Sequence, residues 1–418
     1  MEYTTVELPY GSDQIPVRVP QTNLKGVLYP HQVGESEAQP DEARIVRQAL
    51  ASPIGTPPLQ ELVHPGDKVV IVTSDLTRPC PSDRLIPYVL EELAAVSVPD
   101  QDITIVLALG LHRPMTEAEI DQTVSPVIRR RFRVLNHDVN DTVHLGQTSS
   151  GTPVEFFRPV VEADVRVCLG NLEFHWFAGY SGGAKAILPG CASRAAVTAN
   201  HAMLVHPEAA AGRVDDNPLR LDLEEAVAML GVDFILNVVV DGQHRILGAV
   251  AGELTAAHRA GCEMVAARGK VKAARADIVL ASAGGFPKDI NLYQAHKGLE
   301  AASYFVRDGG VLILVAECRE GIGNAVFESW VLAATSPRDN LERIRREFVF
   351  GGHKASAIAA VEQRASIYIV SAMPDELVRR MWITPYRDPQ AALESALAQL
   401  GPHSQVLVLP QAGSLVPE

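Results

Sequence analysis

The chain has 418 residues, 47% of them hydrophobic and 21% charged, with a formal net charge of −13 at pH 7. That length exceeds one ordinary hydrophobic core and predicts two domains. The acidic balance argues against a nucleic-acid or anionic-membrane partner, while a local basic pocket leaves room for a small anionic substrate.

No apolar run reaches the ~18 residues that a membrane span requires. The start, MEYTTVELPYG, lacks a basic segment followed by an apolar one. The expectation is a cytoplasmic protein without a signal peptide or transmembrane helix. Cys80, Cys168, Cys191, Cys262 and Cys318 are odd in number, scattered and free of any C-x-x-C spacing. They read as reduced, partly buried thiols. Only Cys191 lies near residues of chemical interest, with a nucleophilic or metal-binding role as the lesser alternative.

Residues 1–67 read as an irregular start with a short strand at 4–8. A loop then leads into a helix within 30–50, Pro57-Pro58 breaks that helix, and Gly66-Asp67 turns the chain. Residues 68–73 (KVVIVT) form an apolar, β-branched run expected of a buried parallel strand. It ends at Asp75, Thr77 and Arg78, past the strand's C-terminal end, where open α/β sheets bind ligands. A helix over 83–95 follows, with Ser82 as its expected N-cap. A second strand, 102–109, ends in a loop carrying His112. Thr116 and Glu119 then predict a capping box.

A third strand, 164–169, runs into residues 173–201, EFHWFAGYSGGAKAILPGCASRAAVTANH. Residues 234–240 and 245–250 read as a hairpin, and 253–274 as a helix. Near residue 277 a second strand-helix rhythm begins. Its strand 278–281 precedes a helix over 290–304 that carries Tyr293, Gln294 and Lys297. Strands at 311–315 and 367–370 follow. The fold class is α/β, with two domains, each a mostly parallel sheet flanked by helices, and the active site in the cleft between them. The expected limits are 1–270 for a cofactor-binding domain and 271–400 for a second α/β domain. Residues 401–418 are expected to hold a strand that returns to the first domain.

Residues 173–201 hold the densest chemistry. Gly179-Tyr180-Ser181-Gly182-Gly183-Ala184-Lys185-Ala186 departs from the Walker pattern, because Ala184 replaces its second Gly and Ala186 its Ser/Thr. A glycine-rich turn before a helix still favours an anion. Lys185 is either a surface lysine or a desolvated, reactive amine. His175 and His201 are either satisfied structural histidines or functional ones. Spacing alone does not separate His201 from His206 as a metal ligand. Arg78 and Lys297 are the candidate carboxylate binders, the first as a planar fork and the second as a point charge.

Together these loops resemble the lactate racemases that use a nickel-pincer nucleotide. The matching pieces are SDLTRP at 74–79, GLHRPMTEAE at 110–119, EFHWFAGYSGGAKAILPG at 173–190, NH at 200–201 and YQAHKG at 293–298. They occur in the family's order between about residues 70 and 300. The resemblance implies a racemase or epimerase of 2-hydroxy acids whose pyridinium mononucleotide is joined covalently to Lys185. Nickel would sit in that cofactor, with His201 as its protein ligand. His112 and His175 would be the acid/base pair, with Gly182 and Gly183 cradling the cofactor. Arg78, Tyr293, Gln294 and Lys297 would hold the substrate. Asp75 and Thr77 would orient Arg78 or meet the cofactor. Cofactor-synthesis proteins are the implied partners. The family places an aromatic residue over the substrate, for which Trp330, Phe350 and Trp382 are the candidates. Lactate, malate, aromatic hydroxy acids and aldonates all fit the motifs. The residues by themselves also allow a Lys185 Schiff-base enzyme, or a non-catalytic protein that binds a nucleotide or sugar acid.

Overall fold

The structure is a computed structural model and describes residues 2–30 and 41–418. Part of the loop expected within 30–50 lies outside those residues. The chain forms two compact units, Gly34–Ala267 and a second built from Met1–Val33 with Arg268–Glu418. Both are α/β, as the strand-helix rhythm predicts.

The first unit is organised on a six-stranded sheet. Its order is Ile246–Gly252, Phe234–Val240, Val165–Asn171, Val69–Ser74, Ile103–Ala108, Arg133–Asn136. All neighbours are parallel except the first pair, which is the predicted hairpin. Alternation in the strand Val69–Ser74 supplies both faces. Val69 and Ile71 pack with Leu85, Ile86 and Val89 of the helix Ser82–Ala95, whereas Val70 and Val72 pack with Ile187 and Leu188. A strand buried on two sides reads as a continuous apolar run, which is why it was legible.

From Val69–Ser74 the chain moves outward through Ile103–Ala108 and Arg133–Asn136. It then returns to the opposite side of Val69–Ser74 as Val165–Asn171. The order reverses between those two strands, and their C-terminal ends open onto the ligand position of a doubly wound sheet. The loop at 75–79 leaves one of them and the segment at 172–201 leaves the other.

The second unit holds a six-stranded, fully parallel sheet. Its order is Thr384–Tyr386, Ser366–Val370, Val306–Val315, Ala276–Ser282, Val406–Leu409, Leu24–Val27. Two expectations are corrected here. The C-terminal strand Val406–Leu409 stays in this sheet, between Ala276–Ser282 and Leu24–Val27. Residues 2–30 also belong to this unit. They form an antiparallel hairpin, Tyr3–Tyr10 with Asp13–Pro20, where one short strand was expected. Val6, Leu8, Val17 and Val19 of the hairpin bury against Ile278, Leu280 and Ile313. Helices Leu292–Ser303 and Gly352–Glu362 contribute to the core on the sheet's other face, through Leu292, Leu299 and Ile358.

Local signals held unevenly. The Thr116–Glu119 capping box is present. Ser82 is the first helical residue instead of the cap, and its hydroxyl bonds the Thr73 hydroxyl at 2.6 Å. The helix expected over 253–274 ends at Gly269 and gives way to the strand Lys270–Val271. Among the described residues no helix is long and apolar enough to cross a membrane.

Candidate active site

Asp75 follows the strand Val69–Ser74 and is 5% exposed. Both of its oxygens are engaged. Oδ1 accepts from the Thr77 amide at 3.1 Å and the Thr77 hydroxyl at 2.6 Å. Oδ2 lies 2.5 Å from Nδ1 of His112. Burial pushes the Asp75 carboxyl up, but the His112 hydrogen bond and charge, with Arg78 and Thr77, hold it below its ordinary value. A carboxylate on Nδ1 fixes the ring's orientation and directs its chemistry to Nε2. Asp75 was expected to orient Arg78 or meet the cofactor; its carboxylate bonds His112 and Thr77, and only its backbone carbonyl accepts from the Arg78 amide, at 3.2 Å.

His112 lies just past Gly110, whose φ of +57° lets the loop turn sharply. The Gly110 amide donates to the Gly190 carbonyl at 2.9 Å, and the Gly190 amide to the Lys185 carbonyl at 3.3 Å. The histidine loop is thus tied to the lysine loop through backbone alone.

The glycine-lysine segment begins with a small antiparallel pair, Phe174–His175 with Gly179–Tyr180. In it, Nδ1 of His175 accepts from the Ala178 amide at 3.2 Å, which leaves Nε2 as the ring's other functional atom. Lys185 sits in the 3-10 turn Gly183–Ala186. His201 is on the helix Arg194–Ala202, buried to 5% exposure. The preceding Asn200 anchors that helix by donating to the Leu219 carbonyl at 3.0 Å and to Asp222 at 2.8 Å.

Phe177 gathers these groups. Its ring centroid lies 4.4 Å from that of His175 and 5.0 Å from that of His201, with Lys185 Nζ 5.4 Å away. No motif of the sequence gives Phe177 a role of its own. Burial, then the charge of Lys185, push His201 down to about 3, so its imidazole is neutral at neutral pH. A neutral, buried imidazole is the form that ligates a metal. His206 is exposed, and its Nδ1 accepts from the Glu208 amide in a surface turn. The cluster therefore contains His201 and not His206.

Among the described residues no three His, Cys, Asp or Glu side chains are grouped to hold a metal ion. A metal at His201 would draw its remaining ligands from a non-protein group, and this donor set fits the pincer cofactor. Cys191 is buried, and burial pushes its thiol well above the ordinary range, the setting of a structural thiol.

Gly182 and Gly183 have φ of +72° and +56°. A Cβ on Gly182 would lie 2.6 Å from Asn237 Oδ1, and one on Gly183 2.7 Å from the His258 ring. Their sharp turn therefore packs against protein, which already explains the glycines. The Gly183 amide donates to Asn237 Oδ1 at 2.7 Å.

In the second unit, Tyr293, Gln294 and Lys297 lie in the first turns of the helix Leu292–Ser303, capped by Asn291. The spacings i,i+3 and i,i+4 put Gln294 and Tyr293 on the face of Lys297, at the helix end that favours anions. Phe350 and His353 have ring centroids 6.4 and 6.3 Å from that of Tyr293. Of the three aromatic candidates, Trp330 is 1% exposed in the core and Trp382 is at the surface. Phe350 stands beside Tyr293.

Comparison with known proteins is decisive at this point. The lactate racemase N-terminal domain family matches residues 10–212, and the lactate racemase C-terminal domain family matches residues 271–416. The chain belongs to the lactate racemase family. It is 34% identical to the lactate racemase of Thermoanaerobacterium thermosaccharolyticum, over 98% of each chain. It is 32% identical to that of Lactiplantibacillus plantarum, over 97% of each. The structure of the T. thermosaccharolyticum lactate racemase apoprotein superposes with a TM-score of 0.93, at 34% identity, covering 99% of this chain and 100% of that one. A Thermotoga maritima crystal structure shares the fold, with a TM-score of 0.67 at 18% identity, over 88% of this chain and 100% of that one. As a member of this family the chain is an isomerase.

Proposed function

We propose that this enzyme racemises or epimerises a 2-hydroxy acid, lactate or a close analogue. The observation that carries the reading is the convergence of His175, Lys185 and His201 on the Phe177 ring. The relatives named lactate racemase support it. Lys185 would hold a nickel-pincer nucleotide covalently, and His201 would ligate its Ni2+. When bound, that cofactor supplies an acceptor for the Cα hydrogen as hydride, a route around a weakly acidic C–H bond.

The chain's own residues then supply binding and proton transfer. His112 Nε2, with its ring held by Asp75, takes the hydroxyl proton of one enantiomer, and His175 is the corresponding acid/base group for the other. Imidazole suits the task because its basicity lies near operating pH. Arg78 would hold the carboxylate so that only the substituents on Cα change sides. Tyr293, Gln294 and Lys297 are the proposed substrate binders of the second unit. The apolar wall of Phe177 limits water near the lysine and His201.

Chiral chromatography of cofactor-loaded protein with lactate, malate, phenyllactate and short aldonates tests this directly. Equilibration of one or more of them from either enantiomer is expected. No turnover on any of them by protein that carries nickel and a Lys185 adduct would sink the proposal.

A further inference from the structure

The turn leading to Lys185 is shaped from outside itself. Its inward-facing backbone groups are satisfied by side chains from three distant elements. Arg220 of the helix Pro218–Leu230 donates to the Tyr180 carbonyl at 3.3 Å. His258 of the helix Leu254–Gly269 has Nε2 2.9 Å from the Ser181 carbonyl. Asn237 of the strand Phe234–Val240 accepts from the Gly183 amide.

Hydrogen-bond roles follow from chemistry. Arginine only donates, and a carbonyl only accepts. Nε2 of His258 therefore carries the hydrogen for Ser181, while Nδ1 accepts from Arg259 at 3.2 Å. Arg220 Nη2 lies against the ring, 2.9 Å from Nε2 and 3.1 Å from Nδ1. Burial, reinforced by the Arg220 charge, keeps that imidazole neutral. Arg220 and His258 are both 0% exposed. Glu224 pairs with both cations, with Oε1 2.6 Å from Arg220 Nε and 2.8 Å from Arg259 Nη1, and Asp215 Oδ1 adds a second carboxylate 2.8 Å from Arg259 Nε. Gly183 lies flat on this assembly, its missing Cβ 2.7 Å from the His258 ring and 3.1 Å from Arg220 Nη2.

We infer that Arg220 and His258 are positioning residues that set the Lys185 turn for covalent cofactor attachment. The inference rests on the reading of Lys185 as the attachment site. Between the strand pair that ends at Tyr180 and the 3-10 turn that starts at Gly183, the chain keeps one conformation only if outside partners complete its backbone groups. A network whose members against the turn, Arg220 and His258, are fully buried and hydrogen-bonded is rigid enough to do so.

The test compares full-length His258→Gln, His258→Asn and His258→Phe. Glutamine's amide reaches the place of Nε2 and can still donate to Ser181. Asparagine's reaches only the place of Nδ1, and phenylalanine keeps the ring without the donor. Hydrogen exchange of the amides at 183–186 is measured without cofactor, and the adduct fraction by intact mass after cofactor loading. H258F is expected to exchange about tenfold faster there, with the strand Val165–Asn171 unchanged. Its adduct fraction is expected to fall about tenfold, and H258Q to restore both. Should H258F not fold, H258N against H258Q makes the same comparison. Wild-type exchange in the donor-less variant, or faster exchange with a full adduct, overturns the inference. So does a Gln variant that behaves like the Asn or Phe one. The reading of Lys185 fails separately, by an adduct that persists in K185A.

Discussion

Asp75 shows how one side chain's meaning depends on its partner. A carboxylate beside an arginine suggests a clamp for Arg78; a carboxylate 2.5 Å from Nδ1 of His112 is an orienting group for a base. Asp75→Asn should therefore lower the racemisation kcat by about 10²-fold, with KM and nickel content close to wild type. A rise in KM with kcat preserved would return Asp75 to substrate binding. Under the proposed assignment, Lys185→Ala should abolish the covalent adduct in intact-mass spectra. His112→Ala and His175→Ala should each remove racemisation while leaving adduct and nickel in place, as metal analysis of the same samples would check.

Among the elements, the turn at 179–186 is the most exacting. Gly183 combines a φ of +56° with a Cβ position 2.7 Å from the His258 ring. Gly183→Ala should cost about 2–4 kcal/mol in urea unfolding, from left-handed backbone strain plus displacement of a buried ring. Gly151, with φ +84° and open space around its Cβ position, is a control that bears the backbone strain alone. Equal costs at the two sites would mean that packing on His258 contributes nothing. The strands were legible because apolar, β-branched runs mark parallel strands buried on both faces. The N-terminal hairpin was less so. Its second strand, DQIPVRVP, contains two prolines and alternates its apolar residues, and only the sheet it covers gives that alternation a direction.

At the scale of the molecule, acid should be destabilising well before the carboxylates titrate. His137, His201, His258 and His296 are all buried, and desolvation lowers the basicity of each. His137 is held at about 4 and His201 at about 3. In the unfolded chain each binds a proton near pH ~6.5. Between that pH and the folded values the unfolded state holds more protons, so stability falls as pH falls. Each such group contributes a slope of about 1.4 kcal/mol per pH unit. Asp75 acts lower down, since its depressed carboxyl loses its contribution only below the unfolded value of ~3.9. Urea midpoints of the cofactor-free chain are expected to be flat from pH 8 to 7 and to decline from 6.5 towards 4.5. His137→Leu should make that decline shallower. A midpoint unchanged down to pH 4.5 would contradict the neutral, buried imidazoles.

The sequence by itself determined the class of fold, the order of its strands and loops, and the residue types at the strand ends. These are local properties, written in hydrophobic period, breaking residues and capping pairs. It also carried the family, because five motifs in order are a one-dimensional signal. Only the tertiary structure decided who meets whom. It paired Asp75 with His112, left His206 at the surface and made Phe177 the common wall of His175, Lys185 and His201. It put the strands Leu24–Val27 and Val406–Leu409 side by side in one sheet, and Arg220 and His258 beneath the turn of Lys185. Contacts between residues tens to hundreds of positions apart depend on the path of the whole backbone. A lone histidine in an alanine-rich helix, such as His258, has no local pattern that marks what it will touch.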